Sequence, residues 1–415
     1  MTALTYAIIT LGNTILTGVM SGWLIYFYLP PNDNALVPIG LFGLVVLLSR
    51  ISHIVSSITI NRFAPHTTAG WLWRMVGGGF VMAALFGLLW LSPQGPNALL
   101  HLLLVLVAFN VASGIHQAGY EALLPVLAPD EQARAAISNW RMGFLLLGSL
   151  LAGLMGPLIQ ALSYTQTIGI FTLSSAPFLI VPGLLLRRRL SSEAPPLERS
   201  SFLENVKIAW ANPAFRAFAC SWGLMWLATT FTFETIPYIV TEICRLSVAD
   251  AAYFYLVPIF VSLFAYPIIG KLTERYGVKT VFRASLLAGA VVTPGLLLIN
   301  EHIPLPLLVQ GLGWLVLQTA CLSGAQSSPG VIVAEIIADS PEQQGPLYAF
   351  GNLVDQLASG LALAIIPFFM ILGRGTTDPT GPLGILLLAP MGAAFLLAAF
   401  FVFGHYKVNN TRKLN

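Results

Sequence analysis

Residues 114–143, GIHQAGYEALLPVLAPDEQARAAISNWRMG, join two strongly apolar runs of the chain through a short charged segment. The first run ends near Pro125, and the next is entered at Trp140 and Arg141. A helix needs about 20 consecutive apolar residues to cross a bilayer, and both flanking runs reach that length. The stretch therefore predicts two membrane-spanning helices joined by a charged loop on one side of a membrane.

The composition extends this interpretation to the whole chain of 415 residues. Hydrophobic residues make up 56% of it and charged residues only 9%, whereas soluble domains carry roughly 25% charged residues. The net charge of +3 is small and scattered, which disfavours a nucleic-acid-binding protein. We find no nucleotide-binding loop, catalytic constellation or metal-ligand spacing in the sequence, so we expect neither an enzyme nor a cofactor.

Apolar runs of membrane-spanning length occur twelve times. Six lie in residues 1–186 and six in residues 213–415, and a polar cytoplasmic linker, 187–212, separates these two halves. The first run lacks a small-residue cleavage site, so we interpret it as a transmembrane helix rather than a removed signal peptide. The predicted spans are 3–29, 36–60, 75–92, 98–127, 139–161, 166–186, 213–240, 250–270, 281–299, 305–337, 347–372 and 382–404.

Short sequence matches between the halves suggest a duplication. Residues 128–132 correspond to 338–343, and residues 61–63 correspond to 274–276 at nearly the same offset. Secondary transporters often contain such repeats. We therefore predict an all-α membrane protein with twelve transmembrane helices in two pseudo-symmetric six-helix halves.

Basic residues indicate the orientation of the chain. With the N-terminus inside, 17 of the 20 Lys and Arg residues fall in the linker, the C-terminal tail and the connections on the cytoplasmic side. Loops on that side are enriched in basic residues. We expect a multi-pass protein of the inner or plasma membrane, with both termini and the linker in the cytoplasm.

Two loops resemble those of a known transporter family. Residues 122–125 (ALLP), with Asp130, Arg134 and Arg141, resemble the loop between helices 4 and 5 of the glycoside–pentoside–hexuronide symporters, the melibiose-permease branch of the major facilitator superfamily. Residues 270–279 resemble the superfamily signature between helices 8 and 9. The resemblance implies the major facilitator fold and a secondary transporter.

The second loop is predicted to help close a gate on the cytoplasmic side. Its glycines permit closely spaced helix ends and a tight turn, and its acid and bases can pair across the cytoplasmic face. The gating residues predicted on this basis are Gly270, Glu274, Arg275, Gly277 and Lys279.

The second span departs from the family at the positions that bind the coupling cation. The resemblance places an arginine and two acids there, whereas this chain has Arg50, His53 and Ser57. A histidine and a serine do not supply the anionic oxygens that sodium requires, so coupling to protons, or no coupling, is favoured. Arg50 lies inside a span and needs a wet cavity or a counter-charge; a snorkelling or purely structural arginine is the alternative.

The eleventh span departs from the family in the opposite sense. The family usually carries a lysine there that faces the acids of helix 2, but this chain has Asp355 and Gln356 in that neighbourhood. We interpret the pair as exchanged, with the base on the second span and the acid on the eleventh. Arg50 is therefore predicted to pair with Asp355 first and with Glu234 second.

In this superfamily, helices 1, 4, 7 and 10 line the central cavity, and polar stripes on the corresponding spans are predicted to face it. The alternative for any neutral residue is hydrogen bonding between helices. The residues predicted to act in substrate binding or coupling are Arg50, His53, Asn13, Gln117, Tyr120, Arg141, Trp226, Glu234, Tyr238, Gln326, Asp355 and Gln356.

The leading hypothesis is a secondary transporter that moves a small organic solute, sugar- or glycoside-like by resemblance, by alternating access. Its expected partners are the solute, the lipid bilayer and protons, and the expected state is a monomer unless the chain is a subunit of a larger membrane complex. Two alternatives stay open at this point: a proton-driven exporter of lipophilic compounds, and a transport-inactive facilitator-fold subunit that serves an assembly or structural role.

Overall fold

The computed structural model describes residues 2–31, 35–62, 67–93, 95–128, 131–187, 202–339, 344–372 and 383–406. Every regular element within these ranges is a helix. Several sequence-based predictions fall outside them, namely those for Phe63, Asp130, residues 340–343, residues 188–201 of the linker and the C-terminal tail from 407 onward. The side chains of Asn61, Arg62 and Arg134 are likewise outside the description.

Eleven helical segments among the described residues are long and apolar enough to cross a membrane. The predicted span that is missing from these eleven is the seventh, 213–240, which begins with α10. That helix has 22 residues but contains two Trp, four Ser or Thr, and the charged residues Arg216 and Glu234. The α-helices are α1 Thr2–Ala7, α2 Ile9–Tyr28, α3 Ile39–Arg62, α4 Thr68–Leu89, α5 Asn97–Leu127, α6 Glu131–Gly153, α7 Met155–Ala161, α8 Tyr164–Arg187, α9 Phe202–Ala211, α10 Pro213–Glu234, α11 Ile236–Tyr238, α12 Ala251–Tyr276, α13 Val278–Val292, α14 Leu307–Ser327, α15 Pro329–Asp339, α16 Gln344–Ile371 and α17 Leu383–Phe403. The predicted all-α membrane architecture is confirmed.

The sequence misplaced the start of α6. The charged residues 131–138 were expected to form a loop, but the helix already begins at Glu131. The segment EQARAAIS consists mostly of strong helix formers, and a charged helix can extend beyond the bilayer as easily as a charged loop can. The connection between α5 and α6 is therefore short.

The predicted span 213–240 is not one continuous helix. The helix α10 ends at Glu234, and α11 and a π-helical turn, Ile239–Ile243, follow it. Pro237 has no backbone N–H to donate to the preceding turn, which accounts for an interruption here. A second interruption lies in the predicted span 305–337, where α14 ends at Ser327 and α15 begins at Pro329.

The chain packs into two compact units. The first unit contains Met1–Arg199 together with Glu234–Leu256, and the second contains Ser200–Phe233 together with Val257–Asn415. These units follow packing, whereas the predicted division into 1–186, 187–212 and 213–415 follows chain order, and that division stays a prediction. The segment 234–256, which begins where α10 ends, packs with the first unit.

Within the first unit, α5 packs against both α3 and α4. Its approach to α4 requires glycine, because a Cβ on Gly119 would lie 2.7 Å from the backbone nitrogen of Met75. Within the second unit, α13 packs against α14 and α17, and α9 packs against α16. Aromatic rings fill the latter contact, where Trp210 and Phe215 each lie 5.8 Å from Phe350.

Candidate functional site

A charged pair lies inside the first unit. Arg50, on α3, and Glu234, the last residue of α10, interact electrostatically. The Glu234 carboxylate is 5% exposed, and the Ser21 hydroxyl on α2 donates a hydrogen bond to it. The helices α2 and α3 therefore both reach the buried carboxylate at the end of α10, and Glu234 is the second of the two partners that the sequence predicted for Arg50.

One oxygen of this carboxylate is left open. Within the described part of the chain, Glu234 Oε2 is buried and has no hydrogen-bond partner, and the same is true of the Tyr255 hydroxyl. Tyr255, on α12, lies close enough to Glu234 for the two groups to interact electrostatically. A Cβ at Gly22 would lie 2.1 Å from that hydroxyl, so the glycine gives Tyr255 its space. The site can therefore hold a proton or accept a hydrogen bond from a solute.

His53 and Ser57, which stand where the family has acids, both form hydrogen bonds with backbone carbonyl groups. His53 Nδ1 lies 3.1 Å from the carbonyl oxygen of Asn110, and Ser57 donates a hydrogen bond of 2.9 Å to the carbonyl oxygen of His53. His53 also lies near enough to Arg50 to interact with its charge. The His53–Asn110 contact ties α3 to α5 and leaves His53 beside the charged pair.

A second polar group lies at the cytoplasmic end predicted for α5 and α6. Arg141 Nη2 donates to Glu121 Oε1 at 2.9 Å, and Gln117 Nε2 donates to the same oxygen at 2.9 Å. The side chains of Arg141 and Glu121 are 29% and 41% exposed. The guanidinium of Arg141 also lies over the Tyr120 ring, 4.9 Å from its centroid.

Tyr120 belongs to a stack of aromatic side chains. The Tyr6 ring lies parallel to it with centroids 4.3 Å apart, and the His116 ring stacks at 6.4 Å. Thr10 Oγ1 lies 3.1 Å from the Tyr120 hydroxyl. The Tyr120 ring is thus held by α1, α2 and its own helix, and it in turn supports the guanidinium of Arg141.

The second unit carries an aromatic ladder that faces an acid. Trp222 and Trp226, on α10, stack with centroids 5.6 Å apart and an interplanar angle of 22°. The indole N–H of Trp222 donates to Asp355, and that of Trp226 donates to Ser359 at 2.8 Å. Both acceptors lie on α16, one turn apart. The pairing of Asp355 with Arg50 stays a prediction, whereas the Asp355–Trp222 contact is present.

Four predicted residues remain: Asn13, Tyr238, Gln326 and Gln356. The backbone carbonyl of Asn13 accepts a hydrogen bond of 2.8 Å from the Thr17 hydroxyl. Tyr238 is buried, and its hydroxyl donates a hydrogen bond of 2.6 Å to the carbonyl oxygen of Leu29. Gln326 on α14 and Gln356 on α16 are half-buried.

The sequence did not select Tyr6, Trp222 or Tyr255 as site residues. For Trp222 a signal existed, since it lies four residues before Trp226 and therefore on the same helical face. Tyr6 and Tyr255 offer no such signal, because their roles depend on which helices become neighbours.

The predicted gating loop is mostly helical. Gly270, Glu274 and Arg275 lie in the last turns of α12, and the turn itself is the single residue Gly277, whose φ of 81° suits glycine. Lys279 Nζ lies 4.7 Å from the centroid of the Tyr406 ring. Glu274 is exposed and forms no ion pair within the described residues. The gating role stays a prediction.

Comparison with known proteins places the chain in a family. A family profile described as "MFS/sugar transport protein" matches residues 5–410. A curated relative, an uncharacterized symporter of Synechocystis sp., is 25% identical over 171 residues, which cover 39% of this chain. The match spans about a third (31%) of the length of that relative.

Solved structures of low sequence identity share the fold. The nucleoside transporter NupG aligns over 98% of this chain and 100% of its own, with a TM-score of 0.69 and 13% identity. An auto-inhibited POT family peptide transporter aligns over 100% and 99%, with a TM-score of 0.72 and 13% identity. A bacterial homologue of the iron transporter ferroportin, in an inward-facing state, aligns over 97% of each chain, with a TM-score of 0.68 and 14% identity.

Proposed function

We propose, from the premise that this chain belongs to the family of MFS/sugar transport proteins, that it moves a small sugar- or glycoside-like solute across a membrane by alternating access. The chain is a membrane transporter of the major facilitator type. The proposal adds the class of solute and a coupling mode, namely protons or no coupling rather than sodium.

The observation that carries the proposal is the Arg50–Glu234 pair. Charged groups are costly inside a membrane and usually mark a substrate or ion pathway. Here the carboxylate also keeps one buried oxygen without a partner, beside the unpartnered hydroxyl of Tyr255. A purely structural ion pair has no need of open acceptor capacity, whereas a site that takes up and releases a proton or solute does.

The environment of His53 supports the exclusion of sodium. Hard cations take several oxygen ligands, and the two positions that would supply carboxylates hold a histidine and a serine engaged with backbone carbonyls. A carboxyl such as Glu234 can change its charge by binding a proton, and the neighbouring Arg50 keeps its charge at any physiological pH.

The Glu121–Arg141 group supports a polar solute that carries hydroxyl groups. Arg141 and Glu121 are accessible to solvent, and together with Gln117 they offer both donors and acceptors to hydroxyl groups. The Tyr120 ring is buried between Tyr6 and the Arg141 guanidinium, so it positions the arginine and does not itself contact the solute. We propose Glu121, Arg141 and Gln117 as the solute contact of the first unit.

Solute uptake into proteoliposomes tests the function. We expect saturable uptake of a radiolabelled sugar or glycoside from a screening panel, unchanged when choline replaces sodium at constant pH. In Glu234→Gln we expect any pH dependence of uptake to disappear, while Glu301→Gln, which removes an exposed acid, serves as the matched control. A strong, saturable sodium requirement would refute the coupling mode. No flux of any solute, combined with co-purification of a stoichiometric partner, would refute transport itself.

A further inference from the structure

The indoles of α10 form a platform whose position is fixed from α16. Phe218, Trp222 and Trp226 stack in succession at intervals of one helical turn, with centroid separations of 6.3 and 5.6 Å. Each indole N–H is used up by an acceptor on α16, Asp355 or Ser359. The polar edges of both tryptophans therefore point at α16, and both rings are only half-buried. Because Phe218 and Trp226 stack on the two faces of Trp222, the two indoles offer a ligand the exposed part of their apolar rings.

Asp355 lies at the edge of this platform, where its carboxylate accepts the Trp222 N–H. It is half-buried, about eleven residues into α16, which is roughly 16 Å along the helix. The carboxylate accepts from Trp222, and within the described residues it forms no ion pair. Its second oxygen can accept further hydrogen bonds. A carboxylate at this depth of a membrane protein needs a counter-charge or a wet cavity.

We propose that Trp222, Trp226 and Asp355 form a binding site for a protonated amine carried on a ring-bearing organic solute. The exposed part of the indoles gives the solute's ring an apolar surface, and an ammonium close to tryptophan is also attracted by its π-system. The carboxylate supplies the matching charge and a hydrogen-bond acceptor. The proposal rests on the proposed transport of a small organic solute and names a cationic class among such solutes.

Matched ligands that differ only in charge test the site. Thermal unfolding of the purified full chain in detergent is measured at neutral pH, where both amines are mainly protonated, against titrations of cyclohexylmethylamine and cyclohexylmethanol, and of glucosamine and glucose. Binding to the folded state raises the unfolding temperature by mass action. We expect the amine of at least one pair to bind at least about tenfold more tightly than its neutral counterpart, which corresponds to about 1.4 kcal/mol.

Three variants test whether the Asp355 carboxylate itself, and not a change in the fold, causes the preference for the amine. Asp355→Asn keeps an oxygen that can accept from Trp222, so the platform is preserved, and we expect the preference for the amine to disappear. Trp226→Phe is expected to weaken the amine while keeping its preference over the alcohol, because an aromatic face remains. Glu301→Gln removes an exposed acid of the same unit and should bind both ligands as the unchanged protein does.

The outcomes are distinguishable from those of the transport assay. Equal binding of amine and neutral ligand in both pairs overturns the site without any variant, and so does an amine preference that survives in Asp355→Asn. Either result leaves transport of a neutral solute standing. Conversely, an amine preference that depends on Asp355, found in a protein without flux, supports the site and refutes the transport proposal alone.

Discussion

Glu234, the last residue of α10, interacts electrostatically with Arg50 on α3 within one packing unit. The same residue begins the segment 234–256, which packs with the first unit although α10 itself packs with the second. A change of charge at Glu234 therefore acts at the point where the chain passes from one unit to the other. This position favours a coupling role for the pair over a purely structural one.

A double-mutant cycle on Arg50 and Glu234 tests this relationship. We expect Arg50→Gln or Glu234→Gln alone to lower the free energy of unfolding by about 3 to 5 kcal/mol, because each leaves the other charge buried without its partner. The double variant should lose less than the sum of the two. Thermal unfolding of all four proteins in detergent provides the measurement.

The same cycle with Asp355→Asn in place of Glu234→Gln discriminates between the two predicted partners. We expect the effects of Arg50→Gln and Asp355→Asn to add, because Asp355 accepts from Trp222 whereas Arg50 interacts with Glu234, and sites that share no partner behave independently. Additivity for Glu234, together with coupling for Asp355, would reverse the assignment of the partner.

The Glu121–Arg141 pair is expected to matter more for transport than for stability. Both side chains are partly exposed, at 41% and 29%, and exposed ion pairs contribute about 1 kcal/mol or less. We predict that Arg141→Gln changes the unfolding free energy by no more than about 1 kcal/mol while reducing solute uptake about tenfold or more. Arg141→Lys keeps the charge but loses the planar fork that reaches Glu121, and should transport poorly as well. Normal uptake by Arg141→Gln would remove this group from the solute pathway.

The fold could be predicted from the sequence because the bilayer imposes a simple requirement. Long apolar runs must become helices, because only a helix satisfies its own backbone hydrogen bonds within a single segment in lipid. Hydropathy does not locate a helix end where the residues are charged but favour a helix. At Glu131, for example, α6 begins in a segment that was expected to be a loop. The break after Glu234 was missed because Pro237 lies in an apolar run, 213–240, that was predicted to be one unbroken helix.

The candidate site was predictable in its residue types and less so in its pairings. Charges inside spans identified Arg50, Glu234 and Asp355, because each is costly there. The sequence could not rank the two partners of Arg50 reliably, because the ranking depends on which helices become neighbours. The electrostatic interaction in the structure is with Glu234, the second choice. Tyr255 escaped notice because it contributes only through the space that Gly22 leaves for it, which no periodicity reveals.

The linker is predicted to face the cytoplasm. The basis is the distribution of basic residues, since Ser192 itself lies outside the described residues. In a background with Cys220, Cys244 and Cys321 replaced by serine, a membrane-impermeant maleimide should not label Ser192→Cys in intact cells. The exposed Asn97→Cys, on the opposite side of the predicted topology, should be labelled efficiently. Rapid labelling at position 192 would invert the orientation.

Cys244 is predicted to react slowly with thiol reagents in the folded protein. It lies just after the π-helical turn of the 234–256 segment and is only 1% exposed. Burial raises the pKa of its thiol to about 12, and the thiolate is the reactive form. At mildly alkaline pH the group therefore stays protonated, and labelling requires the segment to open. With Cys220 and Cys321 replaced by serine, labelling as fast as in denatured protein would contradict this prediction.

The packing of the 234–256 segment on the first unit depends on Gly156. A Cβ at this position would lie 2.3 Å from the carbonyl oxygen of Val248, a backbone atom that cannot move without shifting the segment. We predict that Gly156→Ala destabilises the packed arrangement by about 1 to 3 kcal/mol and speeds the labelling of Cys244 in proportion. Gly169→Ala is the matched control, because no atom lies within 4 Å of its added Cβ. If the two variants label at the same rate, the segment is held by contacts other than this one.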